Sequence, residues 1–190
     1  MPRIAAIDPE HAGPRARPLL DAVQQKLGVT PNMMRTMAQS PAVLEGYLAL
    51  NGALQKGSLG HRVGEQIALL TAEQNGCGYC AAAHTALGSG AGLTDEQIEA
   101  ARSGDADDAR AAGALALSRA IIEARGHVGD VDVAAARNAG LSDSEIAEVV
   151  AHVALNTFTN YFNTLAGTEV DFPAVRMPRA PVIREQRLSA

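Results

Sequence analysis

The spacing of hydrophobic positions along the chain predicts a helical protein. Leu20, Val23 and Leu27 recur at steps of three and four, which is the period of a helix with one buried face, and Gly28 follows them as a stop signal. The same period continues to about residue 165, with Gly, Pro and capping residues between the periodic segments. We predict helices at about residues 19–27, 31–39, 41–56, 59–74, 77–87, 94–102, 109–125, 131–138 and 143–165.

Capping residues mark the predicted starts of several helices. Thr30 and Ser40 each precede a proline, which is the pattern of an N-cap followed by Pro at the first helical position. Thr94 and Ser142 each begin a capping box, with Gln or Glu three residues later. The three glycines within 88–92 predict a loop before the first of these capping boxes.

The two capping boxes lie in similar surroundings, Gly92–Ile98 and Gly140–Ile146. Either two loop-to-helix starts merely look alike, or the chain contains a duplicated helical unit of which one half keeps the chemistry. The predicted fold class is therefore all-α, a helical bundle, with an internal duplication as an open alternative.

The two ends of the chain differ from its middle. Residues 1–18 and 171–190 lack helical periodicity and hold several prolines, so we predict an extended N-terminal arm and an extended C-terminal tail. The length of 190 residues fits one helical domain spanning residues 1–190.

Composition and charge narrow the possible functions. Aromatic residues make up 3% of the chain, so Ala and Leu must fill much of the core, which favours closely packed helices. The formal net charge is −5 and no basic stripe occurs, which argues against nucleic acid as a partner. The sequence has no signal-peptide pattern and no apolar run of membrane-spanning length, so we predict a cytoplasmic protein with no membrane partner.

The two cysteines of the chain, Cys77 and Cys80, lie three residues apart at a predicted helix start. In a reducing cytoplasm such a pair argues against a structural disulfide and in favour of reactive thiols. Free N–H groups and the dipole at a helix N-terminus stabilise a thiolate and lower a Cys pKa from about 8.5 to about 3.5–7.5. Cys80 lies about one turn into the helix, so its thiolate would experience that field.

His84 and Glu65 complete a candidate constellation around Cys80. His84 follows Cys80 by four residues on the same helical face, where an imidazole can take the thiol proton. Glu65 lies on the preceding predicted helix among small and apolar residues, and a carboxylate buried there needs a partner such as His84. Tyr79, between the two thiols, can contribute a hydroxyl.

Two other interpretations of the cysteine pair stay open. The pair could be half of a zinc site completed by His84, His61 or Glu65, since zinc binds thiolates, imidazoles and carboxylates. Alternatively, the two thiols are inert core residues, because Cys is often buried. We favour reactive thiols and no metal, because the thiols, the imidazole and the carboxylate occur together.

The last predicted helix carries a polar face. His152, Asn156, Asn160 and Asn163 recur at steps of four, four and three, which places them on one side of the helix. This face is solvated, is a subunit contact, or is a polar wall or hydrogen-bonded brace of the active site. As supporting residues of the site we select His152, Asn156 and Asn160.

Five residues share a spacing that resembles a known family: Glu65, Cys77, Tyr79, Cys80 and His84. The pattern is similar to the core motif of the alkyl hydroperoxidase D-like proteins, which belong to the carboxymuconolactone decarboxylase superfamily. The resemblance is strongest over about residues 40–100. It implies an all-helical fold and a homo-oligomer, often a trimer or a hexamer.

The resemblance also implies a role for each of these residues. Cys80 would attack the peroxide and become a sulfenic acid, which Cys77 would resolve to a disulfide. Glu65 and His84 would form the proton relay. The chain departs from the founding enzyme type at Tyr79, where that type has a His; a phenol with a pKa of about 10 does not shuttle protons at pH 7 as an imidazole does.

The predicted function is therefore that of a thiol peroxidase that reduces hydroperoxides without flavin, haem, metal or other cofactor. An external dithiol, lipoyl-like or thioredoxin-like, would reduce the disulfide after each turnover. Two other enzyme functions stay open: a general disulfide reductase or thiol redox sensor, and a non-redox lyase or isomerase that uses Glu65 and His84 as acid and base. A helical oligomer without enzyme activity is the remaining hypothesis.

Overall fold

A computed structural model of the chain describes residues 1–178, and these residues contain nine α-helices and no strand. The all-α prediction is confirmed. A short 3-10 turn at Pro9–His11 precedes the first helix. The helices are α1 Arg17–Leu27, α2 Asn32–Met37, α3 Pro41–Leu54, α4 His61–Gln74, α5 Gly78–Gly90, α6 Asp95–Ser103, α7 Ala109–Ala124, α8 Asp130–Asn138 and α9 Asp143–Ala166.

The two predicted capping boxes are confirmed. The Thr94 hydroxyl accepts the backbone N–H of Gln97 at 3.3 Å, and the Ser142 hydroxyl accepts that of Glu145 at 3.3 Å. In both cases the side chain three residues into the helix reaches back to the backbone N–H of the capping residue. Local sequence therefore determines where α6 and α9 begin.

Other predicted helix ends are wrong. Thr30 is not an N-cap, because its hydroxyl donates to Gln24 at 2.9 Å and α2 begins at Asn32, one residue after the proline. Gly88 and Gly90 do not form a loop, since α5 continues through both of them to Gly90. Gly88 is buried inside that helix, and a Cβ there would lie 3.2 Å from a methyl carbon of Leu93, so close packing explains this glycine.

Helix α4 forms the centre of the molecule. Ten of its 14 residues, from Val63 to Ala72, are buried. It contributes to two hydrophobic clusters, one built with α6, α7, α8 and α9 and the other with α1, α2, α3 and α5. The first includes Ile67, Ile98, Leu115, Ala136 and Val149, and the second includes Leu20, Met37, Leu44, Ala72 and Cys80.

The N-terminal arm is hydrogen-bonded to the last helix. The backbone N–H of Arg3 donates to the carbonyl of Ala166 at 2.6 Å, and the Arg3 guanidinium donates to the carbonyls of Thr164 and Leu165. These carbonyls belong to the last turn of α9, which has no intrahelical partners for them. The arm therefore caps the C-terminal end of α9. It is also shorter than predicted, because α1 begins at Arg17.

The two similar segments adopt the same local structure. Gly92 and Gly140 both have positive φ, +84° and +97°, and each precedes a buried leucine and a capping box. The helices that follow differ in length, since α6 has nine residues and α9 has 24. The similarity is thus established for the loop and cap, while duplication of a whole unit stays a prediction.

The single helical domain also stays a prediction. Residues 179–190 of the predicted C-terminal tail lie outside the described residues.

No helix within residues 1–178 combines the length and the apolar character that crossing a membrane requires.

Candidate active site

The cysteine pair lies where α4 turns into α5. α4 ends at Gln74, and Gly76 adopts φ +66°, a left-handed conformation that glycine tolerates best. Cys77 is the N-cap of α5, and its sulfur accepts the backbone N–H of Cys80 at 3.2 Å. Cys77 and Cys80 are joined as a disulfide, and each is 2% exposed. Both sulfurs therefore lie in the first turn of a helix, where the free N–H groups favour a thiolate.

Glu65 and His84 form a direct hydrogen bond between α4 and α5. A carboxylate oxygen of Glu65, Oε2, lies 2.7 Å from His84 Nδ1, and the other, Oε1, lies 3.3 Å from Nε2 of His61. Glu65 is buried, which agrees with its apolar sequence surroundings. The bond at Nδ1 orients the imidazole of His84 and leaves Nε2 as the ring atom that can exchange a proton.

A cavity of about 230 Å³ brings these groups together. Cys80, Glu65 and His84 all line it, whereas Cys77 does not. Much of the remaining wall is apolar. It includes Met33, Met34, Leu54, Leu87, Leu155 and Phe172. The site is therefore a mostly apolar chamber with one thiol sulfur and one carboxylate–imidazole pair on its wall.

Tyr79 acts as a brace rather than as a member of the proton relay. Its hydroxyl accepts the backbone N–H of Met33 at 3.2 Å, and its ring packs edge-on against Phe172 at a centroid distance of 5.6 Å. Burial raises the pKa of Tyr79 well above its usual value, and the nearby Asp171 carboxylate adds to that rise. The phenol thus stays protonated at neutral pH.

The segment after α9 covers the cysteine turn. Met177 packs against Gly78, at the position where a Cβ of residue 78 would lie. The carbonyl of Arg176 accepts a hydrogen bond from the buried guanidinium of Arg102 at 2.6 Å. Arg102 also bonds Glu73 near the end of α4, at 2.8 Å. Phe172 of this segment lines the cavity, while Arg176 and Met177 contact Arg102 and the cysteine turn.

The polar face of α9 is buried, so a solvated face is the wrong interpretation for its asparagines. Asn156, Asn160 and Asn163 are 5%, 0% and 3% exposed. Asn160 accepts a hydrogen bond from the side chain of Asn75 at 3.0 Å, which joins α9 to the turn before the cysteines. Asn156 lines the cavity and donates to the carbonyl of His152 at 2.9 Å.

Asn163 contacts the sulfur of Cys80 directly, and the sequence analysis did not select it. Its side-chain nitrogen, Nδ2, donates to the sulfur of Cys80 at 3.4 Å. Its oxygen, Oδ1, is buried and has no hydrogen-bond partner within residues 1–178. An unpaired buried acceptor costs about 1–3 kcal/mol, so the fold tolerates a local penalty beside this sulfur. The only sequence signal was its place on the asparagine face.

His152 and Tyr47 add two titratable groups to the cavity wall. His152 packs over Gly64, where a Cβ would lie 2.8 Å from the imidazole. Burial lowers the pKa of His152, although the carboxylates of Glu148 and Glu65 oppose that effect. Burial, together with the charge of Glu65, raises the pKa of Tyr47 to about 12. Both groups are therefore neutral hydrogen-bonding groups at neutral pH.

The zinc interpretation finds no support among the described residues. Within residues 1–178, no three His, Cys, Asp or Glu side chains are grouped so that they could hold a metal ion. His61, His84 and Glu65 do approach one another, but through hydrogen bonds centred on the carboxylate.

Comparison with protein families identifies the fold. Residues 41–123, which include α4, α5 and the cysteine pair, match the model of the carboxymuconolactone decarboxylase family. This region of the chain is similar to the carboxymuconolactone decarboxylase family. The family resemblance inferred from the five spaced residues is confirmed. No curated protein matches the chain significantly in sequence.

Several solved structures resemble the chain along most of its length. The core of an alkylhydroperoxidase AhpD, an uncharacterised peroxidase-related protein from Ralstonia eutropha JMP134, has a TM-score of 0.81 at 23% identity, covering 90% of this chain and 92% of that one. An uncharacterised peroxidase-related protein from Silicibacter sp. TM1040 has a TM-score of 0.76 at 22% identity, covering 87% and 91%. At these identities the likeness establishes the fold.

A third similar structure has a different activity. It is the debrominase Bmp8, solved as a cysteine-to-alanine variant with 2,3,4-tribromopyrrole, at a TM-score of 0.73 and 19% identity, covering 88% of this chain and 91% of that one. Proteins of this fold therefore catalyse more than one reaction, and the residues of its own site, not the fold, indicate the function of this chain.

The Tyr79→Phe variant should lower the free energy of unfolding by about 1–3 kcal/mol, because the buried N–H of Met33 loses its acceptor. Urea unfolding at pH 7 measures the difference. Tyr161→Phe is the matched control, because the Tyr161 hydroxyl makes no hydrogen bond within residues 1–178 and the substitution keeps the ring, and its effect should stay within about 0.5 kcal/mol. Equal changes in the free energy of unfolding for the two variants would show that the Tyr79 hydroxyl does not stabilise the fold.

Proposed function

We propose that the protein is a thiol peroxidase that reduces organic hydroperoxides through Cys80 and Cys77. The observation that carries this proposal is the composition of the cavity wall: Cys80 lines the cavity together with Glu65 and His84, whereas Cys77 lies outside it. This arrangement supports Cys80 as the thiol that reacts with the substrate and Cys77 as the thiol that reacts with Cys80.

The first step is attack on the peroxide. The Cys80 thiolate forms a bond to the terminal oxygen of the hydroperoxide, the O–O bond breaks, and an alkoxide leaves. His84 donates a proton to the alkoxide, which departs as an alcohol, and Cys80 becomes a sulfenic acid. The sulfur loses two electrons and the peroxide gains them, so the step balances without a metal or a flavin.

The second step forms the disulfide. The Cys77 thiol loses its proton and attacks the Cys80 sulfur, and the hydroxide that leaves takes a proton to become water. The 5.3 Å between the two Cα atoms is suitable for this bond. An external dithiol, lipoyl-like or thioredoxin-like, then reduces the disulfide and is itself oxidised to a disulfide.

Glu65 and His84 form the proton relay of this cycle. The 2.7 Å contact between Glu65 Oε2 and His84 Nδ1 holds the imidazole ring in one orientation. His84 Nε2 takes the Cys80 proton before attack and returns one to the leaving alkoxide. His152 and Asn156 support the cavity wall, while Asn160 and Tyr79 brace it.

The apolar wall supports an organic hydroperoxide as the substrate. Burying an apolar substituent in the cavity contributes about 25 cal/mol per Å² of surface removed from water, and hydrogen peroxide has no such surface. The volume of about 230 Å³ limits the substituent to a small one. The proposal places this chemistry in the cytoplasm, where dithiol reductants are present.

Two alternatives have some support of their own. The disulfide between buried cysteines also suits a general disulfide reductase or a thiol redox sensor, which would turn over small disulfides and not hydroperoxides. The Glu65–His84 pair in an apolar cavity also suits a lyase or isomerase, whose activity would survive loss of both thiols.

The proposal includes a homo-oligomer, a trimer or a hexamer. Val150, Phe158, Tyr161 and Leu165 are 50%, 40%, 63% and 62% exposed and follow one side of α9 at helical spacing. Exposed apolar patches of this kind mark interaction surfaces. A second copy of this chain is the occupant we propose, because an uncharged stripe does not repel its own copy.

The two cysteines should respond differently to substitution. Cys80→Ser should abolish consumption of cumene hydroperoxide by the reduced protein, because the only thiol on the cavity wall is lost. Cys77→Ser should consume one equivalent and then stop, with a sulfenic acid at Cys80 that dimedone traps. Peroxide assay and mass spectrometry of the dimedone adduct measure both. Each variant is the control for the other, and unchanged consumption by Cys80→Ser would exclude the proposed cycle.

The relay should depend on the charge of Glu65. Glu65→Gln keeps the size and a hydrogen bond to His84 but removes the charge, and the second-order rate constant with hydroperoxide at pH 7 should fall about 100-fold. Stopped-flow kinetics measures it. Glu45→Gln, on an exposed position of α3, should leave the rate unchanged. A folded Glu65→Gln variant with the parent rate would show that the carboxylate takes no part.

A further inference from the structure

The side chain of Asn163 contacts the Cys80 sulfur and belongs to the lining of the cavity. Its Nδ2 donates to Cys80 Sγ at 3.4 Å, and its Oδ1 is buried with no hydrogen-bond partner among the residues that the structure describes. Asn163 is 3% exposed and lines the same cavity as Cys80 and His84. The cycle proposed above assigns no role to this amide, and the inference that follows rests on that cycle.

The amide is held firmly in place by contacts along α9. Three residues earlier, Asn160 accepts a hydrogen bond from Asn75 at the turn before the cysteines. Immediately after Asn163, the Arg3 guanidinium donates to the carbonyls of Thr164 and Leu165 at 2.9 and 2.7 Å. The last turn of α9 is thus anchored from both sides, and Asn163 cannot retreat from Cys80 without breaking these bonds.

The side-chain nitrogen of Asn163 can stabilise a thiolate at Cys80. An N–H donor forms a stronger hydrogen bond with a charged acceptor than with a neutral one, so Nδ2 stabilises the Cys80 thiolate more than the thiol or the disulfide. The backbone N–H of Cys80 donates to the sulfur of Cys77, so within residues 1–178 the hydrogen-bond donor to the Cys80 sulfur is the amide of Asn163.

The side-chain oxygen of Asn163 can accept a hydrogen bond from the substrate. A buried acceptor without a partner is destabilising in the resting protein, and a bound molecule with an O–H group would satisfy it. A hydroperoxide carries its single O–H on the terminal oxygen, which is the atom that sulfur attacks. An acceptor beside the sulfur would therefore select the reactive end of the peroxide.

We propose that Asn163 is a catalytic residue that donates from Nδ2 to the Cys80 sulfur and accepts, at Oδ1, the O–H of the bound hydroperoxide. As the S–O bond forms and the O–O bond breaks, the terminal oxygen keeps its hydrogen and becomes the sulfenic acid. The alkoxide leaves and takes its proton from His84. The same O–H can stay hydrogen-bonded to Oδ1 throughout the step. Asn163 therefore binds the terminal oxygen both in the hydroperoxide and in the sulfenic acid.

The test compares Asn163→Leu with Gln66→Leu. Both exchange a buried amide for an apolar side chain of similar size, but Gln66 lies on α4 outside the lining of the cavity, and only Asn163 contacts the sulfur. In a Cys77→Ser background, the pH dependence of alkylation by iodoacetamide reports the thiolate at Cys80. Asn163→Leu should lower alkylation at pH 7 by about tenfold, because a hydrogen bond to a charged group is lost. Gln66→Leu should leave it unchanged, and Asn160→Leu, which loses the bond to Asn75, serves only for the comparison of stability.

Stability and peroxide kinetics separate catalysis from packing. Urea unfolding of the oxidised protein should show Asn163→Leu as stable as the parent or more so, since the unpaired Oδ1 disappears, while Asn160→Leu should be less stable. The second-order rate constant with cumene hydroperoxide should fall more than the alkylation rate does for Asn163→Leu, because the substrate contact is lost as well. Asn163→Asp keeps an acceptor but removes the donor, and its alkylation rate should also fall.

The outcomes distinguish this inference from the proposed function. If the parent does not react with hydroperoxide at all, the peroxidase proposal fails, and the alkylation result still decides whether Asn163 stabilises the thiolate. If the parent reacts and Asn163→Leu retains both the alkylation profile and the peroxide rate, Asn163 has no catalytic role. A loss of stability equal to that of Asn160→Leu, with both rates unchanged, would make Asn163 a packing residue.

Discussion

The site depends on the burial of one carboxylate. Glu65 lies in the middle of α4, the most buried helix of the described chain, and a carboxylate there is costly unless it is paired. His84 supplies the partner at 2.7 Å, and this contact ties α5 to α4 across the turn at Gly76. Because Cys80 precedes His84 by one helical turn, the same contact places the sulfur on the cavity wall. The position of the Cys80 sulfur therefore follows from the need to satisfy Glu65.

The cavity wall is mostly apolar, and Cys80, Glu65, His84 and Asn163 are among its polar groups. Such a wall favours a substrate with one polar reactive end and a small apolar remainder. The Cys80 sulfur lies in the first turn of α5, shares the cavity wall with His84 of the same helix, and accepts a hydrogen bond from Asn163 of α9. Solved structures of similar fold include peroxidase-related proteins and a debrominase, so the fold alone does not determine the chemistry.

Much of the fold and part of the site could be predicted from local sequence. Capping boxes at Thr94 and Ser142 placed two helix starts correctly, and the four-residue step from Cys80 to His84 placed two site residues on one helical face. The contacts that sequence reasoning missed join distant segments. Asn163 and Cys80 are 83 residues apart, and periodicity tells which side of α9 is polar but not which helix it meets. For the same reason, the sequence predicted an extended N-terminal arm but not its contact with the end of α9.

The central claim is that a hydroperoxide oxidises Cys80 and Cys77 to a disulfide within one chain. The most direct measurement is intact mass and free-thiol count of the fully reduced protein before and after one equivalent of an organic hydroperoxide. The cycle predicts loss of both thiols and of about 2 Da, with no added oxygen. Two unchanged thiols, or a stable gain of oxygen with Cys77 still free, would contradict it and leave the acid–base chemistry of Glu65 and His84 as the function to pursue.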